Sequence, residues 1–220
     1  MAWAIIADGV NDVMNLASEV SKSTTDEYTI VIRFKVDASP TGSVLPILYK
    51  DSGNYFYYRV SNTRFVWSFS GSTAQLTGVP LAAVSSGFVE VELSKAVSGS
   101  QTITFDGNSA TFGGARAFSF NKFFDGFDRF EGQVESVVIY SDLTKTNVIN
   151  NWDATASSHA AGTPVLTDTI GGNNATGVNM PTDGSAWIDL GGSGISIAVT
   201  EVLNSFVDTS NINIDYNVSA

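Results

Sequence analysis

Hydrophobic and polar positions alternate with a period of two through most of this chain, and that period predicts strands. The cleanest run is Tyr28 to Val36, with Tyr28, Ile30, Ile32, Phe34 and Val36 on one face and Thr29, Arg33 and Lys35 on the other. A strand with one dry and one wet face belongs in an antiparallel sheet. Ala2 to Ala7 and Val13 to Leu16 read as strands either side of an Asp8-Gly9-Val10-Asn11-Asp12 turn. Val44 to Lys50 and Tyr55 to Val60 flank a second turn, Asp51-Ser52-Gly53-Asn54. Arg64 to Ser70 sets Phe65, Trp67 and Phe69 on one face, and Phe88 to Ser94 sets Val89, Val91 and Leu93 opposite Phe88, Glu90 and Glu92. Gln101 to Phe105 and Ser109 to Phe112 surround Asp106-Gly107-Asn108, and Ser185 to Leu190 is a closing strand expected to pair near Trp3. Turn signals about every 8–12 residues between such runs predict an all-β sandwich or barrel.

The run Val134 to Tyr140 breaks strict alternation. Val134 and Val137 are an odd number of positions apart, so pointing both inward predicts a β-bulge near Glu135-Ser136. After it, Ser141-Asp142-Leu143-Thr144 is a helix-capping pattern, and one short helix is predicted from Thr144 to Trp152 with Val148, Ile149 and Trp152 inward. The predicted core holds Ile30, Ile32, Phe34, Phe65, Trp67, Val91, Val134, Val137, Ile139 and Trp187. One domain over residues 1–191 is expected, followed by a tail over 192–220. The tail opens on the flexible joint Gly191-Gly192-Ser193-Gly194 and carries two β-patterned runs, Ile195 to Leu203 and Ile212 to Val218.

Three phrases resemble the laminin-G-like, concanavalin-A-like jelly rolls. They are Asp8-Gly9-Val10-Asn11-Asp12-Val13; the aromatic-x-Gly-x-Val step Phe130-Glu131-Gly132-Gln133-Val134 leading to Val138-Ile139-Tyr140; and Leu166-Thr167-Asp168 with Gly171-Gly172-Asn173-Asn174-Ala175 before the last strand. The resemblance spans roughly residues 1 to 191. It implies a two-sheet antiparallel β-sandwich in which Val134–Tyr140 crosses the middle of a sheet. A fold of this kind serves many functions, so the function has to come from the site.

Composition mainly excludes. The formal net charge is −11, so a phosphate-backbone partner, which needs clustered Lys and Arg, is not expected, nor is an anionic membrane surface. No apolar run is long enough to span a bilayer, and Met1 to Asp8 lacks the basic start of a signal peptide. Cysteine is absent, which rules out disulfides and a Cys–His nucleophile.

Glycosidases of the resembled fold carry paired carboxylates on one strand. Glu90 and Glu92 would lie about 6.6 Å apart on one face, and Glu131 and Glu135 about 13 Å apart. The first pair lacks the intervening aspartate and the second is too wide for one glycosidic bond, so both are expected to be solvated surface and the protein is expected not to be an enzyme. His159 has no nucleophile motif near it. Relatives of this fold hold Ca²⁺ at the sandwich rim, which makes Asp8, Asn11, Asp12, Asp125 and Asp128 candidate calcium ligands, their oxygens suiting a hard cation. Turn formation explains the same residues without a metal. Tyr55 and Tyr57 share a strand face with Arg59, opposite Phe56 and Tyr58, and form a candidate glycan-binding platform.

Two functions are expected from these features. The first is a non-enzymatic virion structural protein of a tailed bacteriophage, a capsid decoration or fibre-like subunit made in the host cytoplasm without a signal peptide. Residues 195–220 would then join other virion proteins or further copies of the chain, since the first strand begins at Ala2, and the sandwich would contact cell-surface glycans. The alternative is a carbohydrate-binding module of a secreted bacterial protein, found outside the cell.

Overall fold

The computed structural model describes residues 2–97, 99–126 and 128–191. Its first strands are β1 (Trp3–Asp8), β2 (Val13–Lys22), β3 (Tyr28–Val36), β4 (Val44–Asp51), β5 (Asn54–Arg59), β6 (Arg64–Phe69) and β7 (Ser72–Thr77). A one-turn helix, α1 (Leu81–Ser85), separates these from β8 (Val89–Lys95), β9 (Gln101–Phe105), β10 (Asn108–Phe112) and β11 (Phe118–Phe123). Then come β12 (Glu131–Tyr140), β13 (Val148–Asp153), β14 (Val165–Asp168), β15 (Ala175–Val178) and β16 (Trp187–Asp189).

Two antiparallel sheets pack into the expected jelly-roll sandwich. The first runs β10-β9-β8-β3-β12-β13, and the second β15-β2-β11-β4-β5-β6-β7, with β14 carrying the hydrogen-bonded path from one to the other. β12 crosses the interior of its sheet. It pairs with β3 along its length, with β1 beside Glu131–Val134 and with β13 beside Ser136–Tyr140. The pairing with β3 shifts register between Val134 and Ser136, which is the bulge that the odd valine spacing requires. Both valines are therefore buried, while the bulged Glu135 reaches out to Arg33 Nε at 2.7 Å.

All ten predicted core residues are buried. Aromatic rings supply the centre: Phe65 meets Phe34, Phe56, Tyr58 and Phe105, and Trp67 meets Tyr28, Phe69 and Phe118. Burying a side chain of this size contributes about 1.5–3 kcal/mol, and a one-residue slip would turn each ring outward, so these rings fix register. The glycine of the resembled step has a steric cause. A Cβ on Gly132 would lie 2.2 Å from the Lys35 carbonyl oxygen, closer than any side chain tolerates.

The structure corrects the predicted helix. Residues 144–152 are not a helix: Val148–Asp153 is β13, and the one helix among the described residues is α1. Val148 and Ile149 are β-branched and Asn150 and Asn151 favour turns, so helix propensity is low there, and the second half of β12 needs a strand neighbour. Asp142 does cap, but it caps a loop, accepting from Thr144 Oγ1, Thr146 N and Asn147 N. Strands β7 and β11 were not foreseen. Lys95, on the inward face of β8 with Val91 and Leu93, is fully buried, and its ammonium donates to the carbonyls of Thr24, Asp26 and Ala96. β16 pairs with β1 as expected, Trp3 opposite Asp189. The expected tail strands and attachment arm, residues 195–220, lie outside the described residues.

Candidate functional site

The outer face of β4, β5, β6 and β7 is a lattice fixed by register. One cross-strand row is Tyr49, Tyr55, Ser68 and Thr73; the next is Pro46, Tyr57, Val66 and Gln75; the third is Val44, Arg59, Arg64 and Thr77. Directly paired residues of antiparallel strands point to the same side, so three tyrosines and two arginines converge there without an acidic side chain among the twelve. Beyond Tyr49 the first row continues to Lys122 on β11. The opposite faces of these strands are core, which is why Phe56, Tyr58, Phe65 and Trp67 are fully buried.

Tyr55 and Tyr57 do not lie flat as separate platforms. Their rings stack on each other, centroids 5.1 Å apart and planes within 20°, with Tyr57 buried and Tyr55 half-buried. Rings standing side by side on a strand present their hydroxyl ends more than their faces. Burial pushes the Tyr57 phenol up, Tyr55 adds to that, and the Arg59 and Arg64 charges pull it the other way. Arg64 Nη1 donates to Gln75 Oε1 at 2.7 Å. The Nε atoms of Arg59 and Arg64 are buried and have no hydrogen-bond partner. The ion pairs among the described residues use Arg33, Lys50, Lys122, Arg129 and Lys145, and neither Arg59 nor Arg64.

The candidate calcium ligands separate into three settings. Asp8 and Asp12 come together: Asp12 Oδ2 accepts the Asp8 amide at 3.0 Å, while Asp12 Oδ1 is buried without a partner. Burial, with the Asp8 charge beside it, raises the Asp12 carboxyl above the ordinary carboxylate range despite that amide bond. Asn11 contributes its backbone carbonyl to Asn179. Asp125 is held by Lys122, Arg129 and the Gly126 amide. Asp128 accepts from Ser43 N, Ser43 Oγ and Val44 N, tying down the entry to β4. Among the described residues no group of three or more His, Cys, Asp or Glu is arranged to hold a metal.

Of the carboxylates weighed for catalysis, Glu90 and Glu92 lie on β8 in the other sheet, Glu90 exposed and Glu92 paired with Lys145 at 2.9 Å. Glu131 was expected to be solvated and is instead buried, accepting from Thr41 N, Thr41 Oγ1 and Gly42 N. Its role is to hold the loop between β3 and β4. His159 stacks on Trp3 with centroids 3.9 Å apart, and its Nε2 bonds the Ala154 carbonyl. Two open clefts between β7, α1 and the β9–β10 turn share Ala83, Phe105 and Asp106 in their linings, with Glu90 in one and Thr77, Asn108 and Ser109 in the other, and neither contains a cation or a tyrosine. The tyrosine–arginine face has the denser chemistry.

Arg64, Gln75 and Tyr49 escaped the sequence reading because they join Tyr55, Tyr57 and Arg59 only through cross-strand register. The one available signal was that Arg59 and Arg64 flank a four-residue turn, Val60 to Thr63, which puts them opposite each other in a hairpin.

No protein-family model and no curated protein matches this chain. Solved structures do. A protein of Bacteroides ovatus provisionally assigned to carbohydrate binding superposes with a TM-score of 0.62 at 13% identity, over 82% of this chain and 61% of that one. This chain thus spans less than two thirds of the Bacteroides protein, and at that identity the two share a fold. Domains LG4-5 of the mouse laminin alpha1 chain match with a TM-score of 0.47 and 12% identity, over 63% of this chain and 40% of that one. The carbohydrate binding module CBM66 of Bacillus subtilis matches at 0.36 and 10% identity, over 67% and 94%.

Proposed function

We propose that this protein is a non-enzymatic glycan-binding module that takes a sugar chain on the outer face of β4–β7, through Tyr55, Tyr57 and Arg59 with Arg64 and Gln75 beside them. The observation that carries the reading is the lattice itself: phenol hydroxyls, two guanidinium groups and an amide aligned by register on one rigid sheet. Sugars are bound by hydrogen-bond donors and acceptors held over apolar surface, and a site on strands keeps its geometry better than one on loops. The fold shared with the Bacteroides protein supports the reading. A binding role agrees with the setting of Glu90 and Glu92, one exposed and one salt-bridged, on the sheet that lacks the tyrosines.

The setting that goes with this reading is a module of a secreted protein. The virion setting is the second reading and rests on the sequence alone; mass spectrometry of purified particles containing the intact chain would establish it. The binding reading is tested by screening the full chain on a glycan array. Retention of at least one polysaccharide class, weakened in Tyr55→Phe/Tyr57→Phe and unchanged in Glu90→Gln and Glu92→Gln, is the expected result. Hydrolysis of a glycan that vanishes in Glu90→Gln or Glu92→Gln would overturn it.

A further inference from the structure

We infer that the glycan taken by this face is acidic, with carboxylate-bearing sugars as its recognised units. The inference rests on the binding reading above and adds the charge and chemical class of the ligand.

The protein carries a formal net charge of −11 with 22 acidic residues against 11 basic ones. Two guanidinium groups side by side with no acid among their cross-strand neighbours are therefore unexpected by composition. Arg59 and Arg64 are direct cross-strand partners. Two like charges placed opposite each other on a sheet are destabilising, so the free protein bears a cost at this position that a bound anion would relieve. The flank of the face repeats the sign. Lys122 sits at the end of the Tyr49 row, and with Arg129 it outnumbers the one carboxylate between them, Asp125.

The unmet hydrogen bonds say what kind of anion fits. Among the described residues Arg59 Nε and Arg64 Nε are buried atoms with no partner, and the only hydrogen bond on either guanidinium is from Arg64 Nη1 to Gln75. Both arginines are part-exposed, and the Nη ends of their guanidinium groups offer the planar, two-pronged donor pair that a carboxylate accepts with both oxygens. The same face carries the Ser68, Thr73 and Thr77 hydroxyls and the Gln75 amide. A ligand that supplies acceptors and negative charge answers the two guanidinium groups, whereas a neutral sugar leaves their charges uncompensated.

The test uses the full chain and four polymers, polygalacturonate, its carboxyl-reduced derivative, dextran sulfate and neutral xyloglucan, with affinity measured by calorimetry. Binding to polygalacturonate that weakens roughly tenfold or more on carboxyl reduction, and by a similar factor in Arg59→Gln and in Arg64→Gln, is expected from the loss of hydrogen bonds to a charged group. It should also fall as salt rises, since Arg59 and Arg64 are part-exposed and charges in contact with solvent are screened. Thermal melting of each variant in the absence of ligand separates lost contacts from lost folding. Equal affinity for the reduced polymer or for xyloglucan, or unchanged affinity in both folded variants, overturns the inference and leaves glycan binding standing. Preference for dextran sulfate over polygalacturonate overturns the carboxylate assignment. Binding to no glycan of any class removes the functional reading as well.

Discussion

Removing the Asp168 carboxylate should cost the fold about 3–5 kcal/mol, the upper end of what single substitutions do. Asp168 ends β14 and is buried at 4% exposure. Its Oδ1 accepts from the amides of Asn151, Ile170 and Gly171, and its Oδ2 from the Asn173 amide and Asn150 Nδ2, at 2.7–3.2 Å. Burial alone would raise this carboxyl, but the Asn151, Gly171 and Asn173 amides with the Asn150 side chain outweigh it and hold it below its ordinary 3.8. Each hydrogen bond to a charged group is worth about 1.5–3 kcal/mol, and such values do not add within one network. Ile170 and Gly171 lie on an exposed loop and regain water, so the bonds from Asn150 Nδ2, Asn151 N and Asn173 N are the ones that count, discounted for non-additivity within the network. Urea unfolding followed by tryptophan fluorescence is the natural assay, because Trp152 is the cross-strand partner of Asp168 and its indole N–H bonds the Asn173 carbonyl. Asp168→Ala should lower the unfolding free energy by the amount above, and the urea midpoint with it, and Asp168→Asn should lower both by less. The difference from wild type should shrink as pH falls below 3.8, since a depressed carboxyl contributes its stability above its unfolded pKa and loses it as it protonates. A destabilisation under about 1 kcal/mol for Asp168→Ala at neutral pH would refute the reasoning.

Two other predictions follow from buried or capping groups. The hydrogen bond from Thr144 Oγ1, then those from the Thr146 and Asn147 amides, lower Asp142 to about 2, so the 141–147 loop should stay ordered well below pH 3.8 and loosen only near the lower value. Thr146 and Asn147 amide shifts titrating with a midpoint near 4 would contradict this. Lys95→Met should cost about 1–3 kcal/mol by leaving the Thr24, Asp26 and Ala96 carbonyls without their donor; a variant more stable than wild type in urea would show that desolvation of the ammonium outweighs its three bonds.

Much of the sandwich was legible because its strands keep a strict period of two around large side chains. Tyr28–Val36 needed no tertiary information, and the valine spacing alone required the bulge at Glu135. The stretch 144–152 misled because its N-terminal polar cluster suits a helix cap as well as an Asp-centred loop, and only the need of β12 for a neighbour decides between them. β7 and β11 were hidden by short, polar or mixed sequences whose strand state comes from pairing. The candidate site divided the same way. Tyr55, Tyr57 and Arg59 share one strand and could be read together, whereas Arg64 and Gln75 reach them only through register with β6 and β7. Glu131 looked like surface because nothing in its local sequence reveals the Thr41 and Gly42 amides that bury it.

Nuclear magnetic resonance mapping of an acidic oligosaccharide titrated into the full chain tests the central claim most directly. The account predicts saturable shifts clustered on Tyr55, Tyr57, Arg59, Arg64 and Gln75, including the Nε–H signals of both arginines, with Glu90, Asp8 and Asp12 unmoved. Shifts centred on the Asp8–Asp12 turn or on β8, with the tyrosine–arginine face silent, would contradict it.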